Sequence, residues 1–483
     1  MDKLMTQIER FKPIYTAVAA PGTGKTEALL SKLPALIDAG MHVILAVPTL
    51  VLSDEIARRA VDGEITCRSI DQRSVGTVVT NLEKALDDKA DSFIVCTQES
   101  LRQVRHGLLH GWILVVDELP KVVDFPDYPL KPVELERVLA FTEERDGQLW
   151  IKEANEAMIK EQVTTNRADA RGLDCSTLGA SGAHIFRLLL SKVDVFIDKA
   201  DKDGTRHVRA VEELTDWWGI FSAAMESHVL AANIAKSEFE LFSQVHGFHF
   251  KRSIFTPETT TYSSPTVIYP VIRKGQKFSK GKMLALHDDK RMIDLVLEKV
   301  LAHTISIPLL SANKWAGFES RVNVRYVPKD CRGLNRYSNA NEAILLFGGN
   351  PSPSDSQGIE YLNAKYGVNF EEAFITTRLL EPSLQVATRT AVRCRDNTNE
   401  IHLYVQDERV AMYLLSTYFP HAKVDWLLAE DIPVKQDGRK LDVTIEEEIQ
   451  RLLIRKIAIL QIHRLTGVSR QKISAIKASL DAA

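Results

Sequence analysis

The sequence predicts an α/β protein with parallel sheets, built as two successive units with an insertion between them and a helical tail. Three observations lead there. Short apolar runs alternate with helical patterns through the first 120 or so residues. Continuous Val/Ile runs between helices mark strands covered on both faces. The same alternation returns after residue 250. The third observation is the stretch "AVAAPGTGKTEALL", a glycine-rich turn between a strand pattern and a helix pattern.

The elements follow in order. "IYTAVAA", "HVILAVP", "SFIVCT" and "WILVVDE" read as strands, with helices at "TEALLSKLPALIDAG" and "LSDEIARRAV". Residues 125–225 change character. They read as a polar, helix-rich insertion with one hairpin, "VDVFIDKADKDGTRHVRAV", turning at Asp203-Gly204. The Trp217-Trp218 pair is expected to pack that insertion. "ESHVLAANIAKS" returns to a strand, so residues 1–124 and 226–248 form the first unit. The second unit spans 249–428. It opens on "TVIYPVIRKGQKFSKGKMLAL", read as a hairpin with a basic tip. A helix at "DDKRMIDLVLEKVLAHT" and strands in "ISIPLLSAN", "EAILLFGGNPSPS" and "EIHLYVQ" follow. Residues 429–446 read as a linker and 447–483 as a helical tail.

Composition narrows the class. The 483 residues carry 45% hydrophobic and 26% charged side chains and a net charge of −3, so a nucleic-acid partner would need local basic patches. Five cysteines form no C-x-x-C pair, which argues against a zinc site or a disulfide framework. A reduced intracellular setting is expected: the cytoplasm, at the nucleoid if the source is bacterial or phage. The start has no signal-peptide pattern, and no apolar run is long enough to span a membrane.

The glycine-rich turn carries the first chemistry. Ala19-Ala20-Pro21-Gly22-Thr23-Gly24-Lys25-Thr26 is a P-loop (Walker A) with its first glycine replaced by Ala19. Backbone amides and the helix N-terminus would cradle phosphate oxygens, with Gly22 and Gly24 admitting the close approach. Lys25 would neutralise β/γ-phosphate charge, and the Thr26 hydroxyl would ligate Mg²⁺. "WILVVDELPK" supplies carboxylates at a strand end. Asp117 would hold the Mg²⁺, and Glu118 would orient and deprotonate water. ATP and Mg²⁺ are therefore the expected ligands.

The motifs together resemble superfamily 2 helicases. Ala-x-x-Gly-x-Gly-Lys-Thr is a form common in that family. "VPTLVLSDEIARR", "FIVCTQESL", "DELP" in place of a DEAD/DEAH box, and "VLAANIAKS" follow in the family's order. "CRGLNRYSNANEAILLF" resembles the Arg-Gly-Ile-Asp motif through Arg332, Gly333 and Asn335. "QVATRTAVR" resembles Gln-x-x-Gly-Arg-x-x-Arg through Gln385 and Arg389, with the last arginine displaced to Arg393 and Thr388 in the glycine's place. The resemblance implies two tandem RecA-like domains with ATP between them and an arginine finger from the second. That finger is Arg389 or Arg393, with Arg393 favoured. "RGLN", "GNPSP" and the Thr-Arg-Thr-Ala-Val-Arg run look most like replication helicases of phages and plasmids and origin-binding helicases of herpesviruses. The implied activity is an ATP-dependent DNA helicase or translocase in replication or recombination, with replication proteins as further partners. An RNA helicase, a terminase-type packaging motor and a non-catalytic ATP-gated loader or initiator are the alternatives.

Nucleic acid, as single-stranded or forked DNA or as RNA, would cross both domains. The resemblance assigns backbone contacts to Thr49, Thr97 and Arg332, although either threonine could instead cap a turn. Lys274, Lys277 and Lys280, on the basic tip around Phe278, could track phosphates or form a solvated tip. "RLLIRKIAILQIHRLTGVSRQKISAIKASL", residues 451–480, resembles a helix-turn-helix in which Arg470, Gln471 and Lys472 open the recognition helix. His463 stands where a small residue is usual. The competing reading is an amphipathic α-hairpin packed on the second unit or on a partner.

Overall fold

The computed structural model describes residues 12–73, 76–168, 179–258, 261–329, 331, 337, 339–394, 396–434, 443–454, 457–466, 468 and 470–481. Two parallel sheets dominate. The first has seven strands in the order His249–Arg252, Pro13–Val18, Glu226–Ala231, Trp112–Asp117, His42–Val47, Phe93–Thr97 and Arg68–Ile70. The second has six, in the order Arg325–Tyr326, Leu309–Ala312, Glu342–Leu346, Ile401–Val405, Thr266–Pro270 and Lys423–Val424. Both are covered on two faces, which is why their central strands are apolar throughout rather than alternating.

The strand His249–Arg252 pairs in parallel with Pro13–Val18, so residues expected to open the second unit close the edge of the first sheet. The helix Asp216–Ala223 leads directly into the strand Glu226–Ala231. Its proximity to that strand buries Trp217 and Trp218 in the first unit's core, with Phe221, Phe239 and Phe248, rather than in the insertion.

The insertion is a unit of its own. Five antiparallel strands run in the order Asp127–Leu130, Arg206–Ala210, Val195–Ile197, Gln148–Ile151 and Thr142–Arg145. The hairpin at Asp203-Gly204 is present. A second one, unexpected in a helix-rich segment, turns at Asp146-Gly147, where both residues have positive φ (50° and 77°). That pair of left-handed residues suits the twist of a two-residue hairpin.

The basic hairpin is absent. Thr266–Pro270 lies between two parallel neighbours, and the chain then turns into the short helix Lys280–Leu284. A strand flanked on both sides has no free edge for an antiparallel return. Three tail helices, Val443–Ile454, Ile459–Thr466 and Arg470–Asp481, follow, the first starting inside the expected linker. No described helix is long and apolar enough to cross a membrane.

Candidate active site at the junction of the two sheets

The site lies where the carboxyl ends of the first sheet's strands meet the second unit. In an open parallel sheet this is where helix N-termini and strand ends converge. The P-loop follows Pro13–Val18 and runs into the helix Lys25–Asp38. Gly22 (φ 77°) and Gly24 (φ 95°) both take left-handed backbone, which favours glycine. Ala19 and Ala20 are fully buried, and neither is among the residues with positive φ. An alanine at the first position therefore costs no strain. Thr23 closes the loop by donating from Oγ1 to the Ala20 carbonyl at 2.7 Å.

Lys25 is buried, and its Nζ donates to the carbonyls of Ala19 (2.7 Å) and Ala20 (3.2 Å). Burial lowers its pKa below the ordinary lysine value, while the charges of Glu118 and Asp117 work against that shift. Asp117 is also buried, and Thr26 Oγ1 lies 3.5 Å from its Oδ2. Burial, and then the neighbouring Glu118 charge, push the Asp117 carboxyl up to about 7. A buried carboxylate beside a hydroxyl at the mouth of a P-loop is a donor set that fits a divalent cation.

Glu118 has φ 65°, a left-handed backbone that is uncommon outside glycine. Two contacts hold it there. Its N–H donates to the Leu230 carbonyl at 2.8 Å. Gln98 Nε2 donates to the carbonyls of Asp117 (2.8 Å) and Glu118 (3.2 Å). Strain maintained by specific hydrogen bonds is characteristic of functional positions.

The second unit closes the site. Gln385 Nε2 sits 3.4 Å from both carboxylate oxygens of Glu118. Arg393 lies against the P-loop: a Cβ on Gly22 would stand 2.8 Å from Arg393 Cδ and 3.1 Å from its Nε. Burial, then the nearby Arg389, lower the Arg393 pKa to about 10. Arg389 is buried in the same segment. Thr388, in the place of the motif's glycine, is fully buried, and its Oγ1 donates to the Leu384 carbonyl at 2.9 Å.

Four residues that the sequence analysis did not single out join the site. Tyr262 donates its hydroxyl to the carbonyl of Pro21 at 2.5 Å, across the two units. Tyr418 donates to the carbonyl of Ala232. Glu381, one helical turn before Gln385, bonds Tyr413 and Asn233, and burial followed by the Glu118 charge raise its pKa to about 8. Gln98 is the fourth. Only Gln98 and Glu381 left a sequence signal: each is adjacent to, or one turn from, a motif residue.

A cleft of about 520 Å³ continues from Glu118 and Gln385, lined also by Arg102, Lys121, Lys329 and Arg378. Thr49 and Thr97 are helix N-caps, accepting from the N–H groups of Leu52 and Ser100. Lys274, Lys277 and Lys280 are exposed on the loop and helix start after Thr266–Pro270. Phe278 is buried and its N–H donates to Asp407, so it offers no face to a base. Arg332 and Gly333 lie outside the described residues, as do the side chains of Gln471 and Lys472; Arg470 is exposed. No group of His, Cys, Asp and Glu with metal-holding geometry occurs among the described residues.

No family model matches the sequence. No curated relative matches it either. Solved structures do. An XPD helicase is 11% identical with a TM-score of 0.53, over 88% of this chain and 98% of its own. Xpd4 from S. tokodaii is 14% identical with a TM-score of 0.50, over the same shares. Identities this low bear on fold alone. With the two parallel sheets and the P-loop at their junction, they give this chain a tandem RecA-like fold, similar to that of the two XPD structures.

Proposed function

We propose that the chain is an ATP-hydrolysing helicase or translocase that moves on single-stranded DNA. The observation that carries this reading is the meeting of Arg393 with Gly22, and of Gln385 with Glu118, across two separate sheets. A P-loop alone binds nucleotide. A P-loop completed by an arginine from a second domain makes hydrolysis depend on how the domains sit, which is how turnover becomes movement.

The roles proposed here come from the motifs, with the geometry of the site in support. The loop amides and Lys25 would hold the β- and γ-phosphates. Thr26 and Asp117 would hold a Mg²⁺, which neutralises phosphate charge when bound. Glu118, fixed by Gln98 and faced by Gln385, would orient and deprotonate the attacking water. Arg393 would stabilise charge developing on the transferred phosphoryl group, with Arg389 behind it. The cations of the cleft, with Thr49, Thr97, Arg332, Lys274, Lys277 and Lys280, would form the strand path. Since both threonines already cap helices, their hydroxyls would contribute least to it.

A replication or recombination role belongs to this proposal on sequence grounds. The likeness to phage, plasmid and herpesvirus helicases gains no support from the structural comparison. A packaging motor is less favoured because the second unit carries the arginine segment set against the P-loop.

The test is ATP turnover with and without single-stranded DNA and RNA of equal length, followed by strand displacement on forked duplexes. Stimulation by DNA is expected, and Glu118→Gln should reduce turnover by about 10²–10⁴-fold while leaving ATP binding intact. Equal or greater stimulation by RNA would assign the motor to RNA. Unchanged turnover in Glu118→Gln would overturn the assignment of the base.

A further inference from the structure

We propose that the three tail helices form a duplex-DNA-binding unit in which Arg470, Ser474 and Lys477 enter the major groove. This does not rest on the motor reading, and it goes beyond it by adding a duplex-DNA site outside the motor.

The three helices pack chiefly on one another among the described residues. Ile449, Ile462, Ile473 and Ile476 form their core, with Leu452, Leu453, Val468 and Leu480 against it. A self-contained core is not expected of an α-hairpin laid on the second unit. The junction of the last two helices is closed by side chains. Thr466 Oγ1 donates to the Ile462 carbonyl at 2.7 Å and accepts from the Val468 N–H at 3.3 Å. His463 Nδ1 lies 2.7 Å from the Val468 carbonyl. The histidine that looked too large for such a turn is the group that latches it. A short, locked turn fixes the angle between two helices, which is what lets one helix present the other to a groove.

The last helix, Arg470–Asp481, divides by face. Ile473, Ile476 and Leu480 point to the core, whereas Arg470, Ser474 and Lys477 are exposed at i, i+4 and i+7. Twelve residues span about 18 Å, enough to lie in a major groove. Residues 451–480 contain seven lysines and arginines and no aspartate or glutamate, in a chain whose net charge is −3. That local excess complements a polyanion. Among polyanions the shape selects DNA. The B-form major groove admits a helix, whereas the A-form groove of duplex RNA is too narrow for side chains to read.

The experiment uses the full-length protein and fluorescence anisotropy with random-sequence duplex DNA, duplex RNA and single-stranded DNA. The Arg470→Glu/Lys477→Glu variant should lose about tenfold or more in duplex-DNA affinity, and its salt dependence should fall by about two phosphate contacts. Both positions are exposed, so its melting temperature should match the parent, and Arg470→Ala/Lys477→Ala should lose affinity in the same direction. Selection from a random duplex pool should enrich a sequence with the parent and not with the variant. Equal duplex-DNA affinity in parent and variants overturns the proposal, as does parental preference for duplex RNA. Duplex binding through the tail in a chain that hydrolyses no ATP would leave this proposal standing and sink the motor. ATP turnover with tail variants of parental affinity would do the reverse.

Discussion

At the scale of single residues, the site turns on Gly22 and Arg393. Gly22 has left-handed backbone and a side chain from the other unit pressed on its Cα. The two demands coincide: no larger residue would keep φ at 77° and leave room for Arg393. Arg393 rather than Arg389 is the side chain against the loop, and it is also the arginine whose charge is felt at Lys25. Arg393→Ala should therefore lower ATP turnover by about 10³–10⁵-fold. Steady-state rates on the two single variants check this. A larger loss in Arg389→Ala than in Arg393→Ala would exchange their roles. Glu118 shows the same logic in reverse, with strain at a non-glycine residue held by Gln98 and the Leu230 carbonyl.

At the scale of elements, the insertion is the notable part. Its chain leaves immediately after the strand that carries Asp117 and returns just before the strand Glu226–Ala231. It thus belongs to the first unit by sequence. It packs on the first through Val211 and Leu214, and it also contacts the second. Tyr361 donates to Asp194 at 2.6 Å, and Lys365 pairs with Glu213 at 2.8 Å. At Gly358, inside the helix Pro353–Tyr366, the two surfaces pack too tightly for a side chain: a Cβ there would stand 2.5 Å from Phe125 Cδ1 and 3.1 Å from Val211 Cγ2. Gly358→Val should therefore force the surfaces apart, lowering stability by about 1–3 kcal/mol and exposing the insertion to limited proteolysis. Thermal melting with a protease time course measures both. An unaltered digestion pattern would mean that this contact does not hold the insertion in place.

At the scale of the whole molecule, the two units share their interiors. Ala20 and Ala232 of the first belong to the second unit's core, while Ile359, Leu362, Phe370 and Phe374 of the second belong to the first's. A single turn of π-helix, Thr376–Leu380, lies at that boundary, a form often found at functional positions. Thr377 accepts from the Glu238 N–H at 3.1 Å, and Arg378 Nε is 3.5 Å from Glu238 Oε1. Burial raises the Glu238 carboxyl to about 7, and the Arg378 charge opposes this without outweighing it. The native state thus holds the Glu238 proton more tightly than the unfolded chain, whose value is near 4.5. The associated stability is full below that value and is lost as pH rises through about 7. Glu238→Gln mimics the protonated form. Its melting temperature should match the parent's below about pH 4.5, exceed it increasingly up to about pH 7, and exceed it by a steady amount above that. A constant difference across that range would show that Glu238 is already ionised in the native state.

The sequence by itself determined the parallel α/β class, the P-loop and the paired acids Asp117 and Glu118. Each is a local statement: an apolar run long enough for a buried strand, then a turn whose glycines or carboxylates stand at the strand's end. It also made the Asp203-Gly204 turn legible, and Asp146-Gly147 carried the same signal within a segment read as helical. Tertiary structure decided everything that pairs residues far apart in the chain. It put His249–Arg252 on the first sheet, because strand membership depends on which edge is open and not on sequence order. It removed the basic hairpin, since Thr266–Pro270 has parallel neighbours on both sides. It chose Arg393 over Arg389, two arginines of one motif, as the side chain set on Gly22, and it brought Tyr262 to Pro21, a contact between distant segments with no local pattern to announce it. Side-chain periodicity reports which face of an element is buried; only the packed structure says what it is buried against.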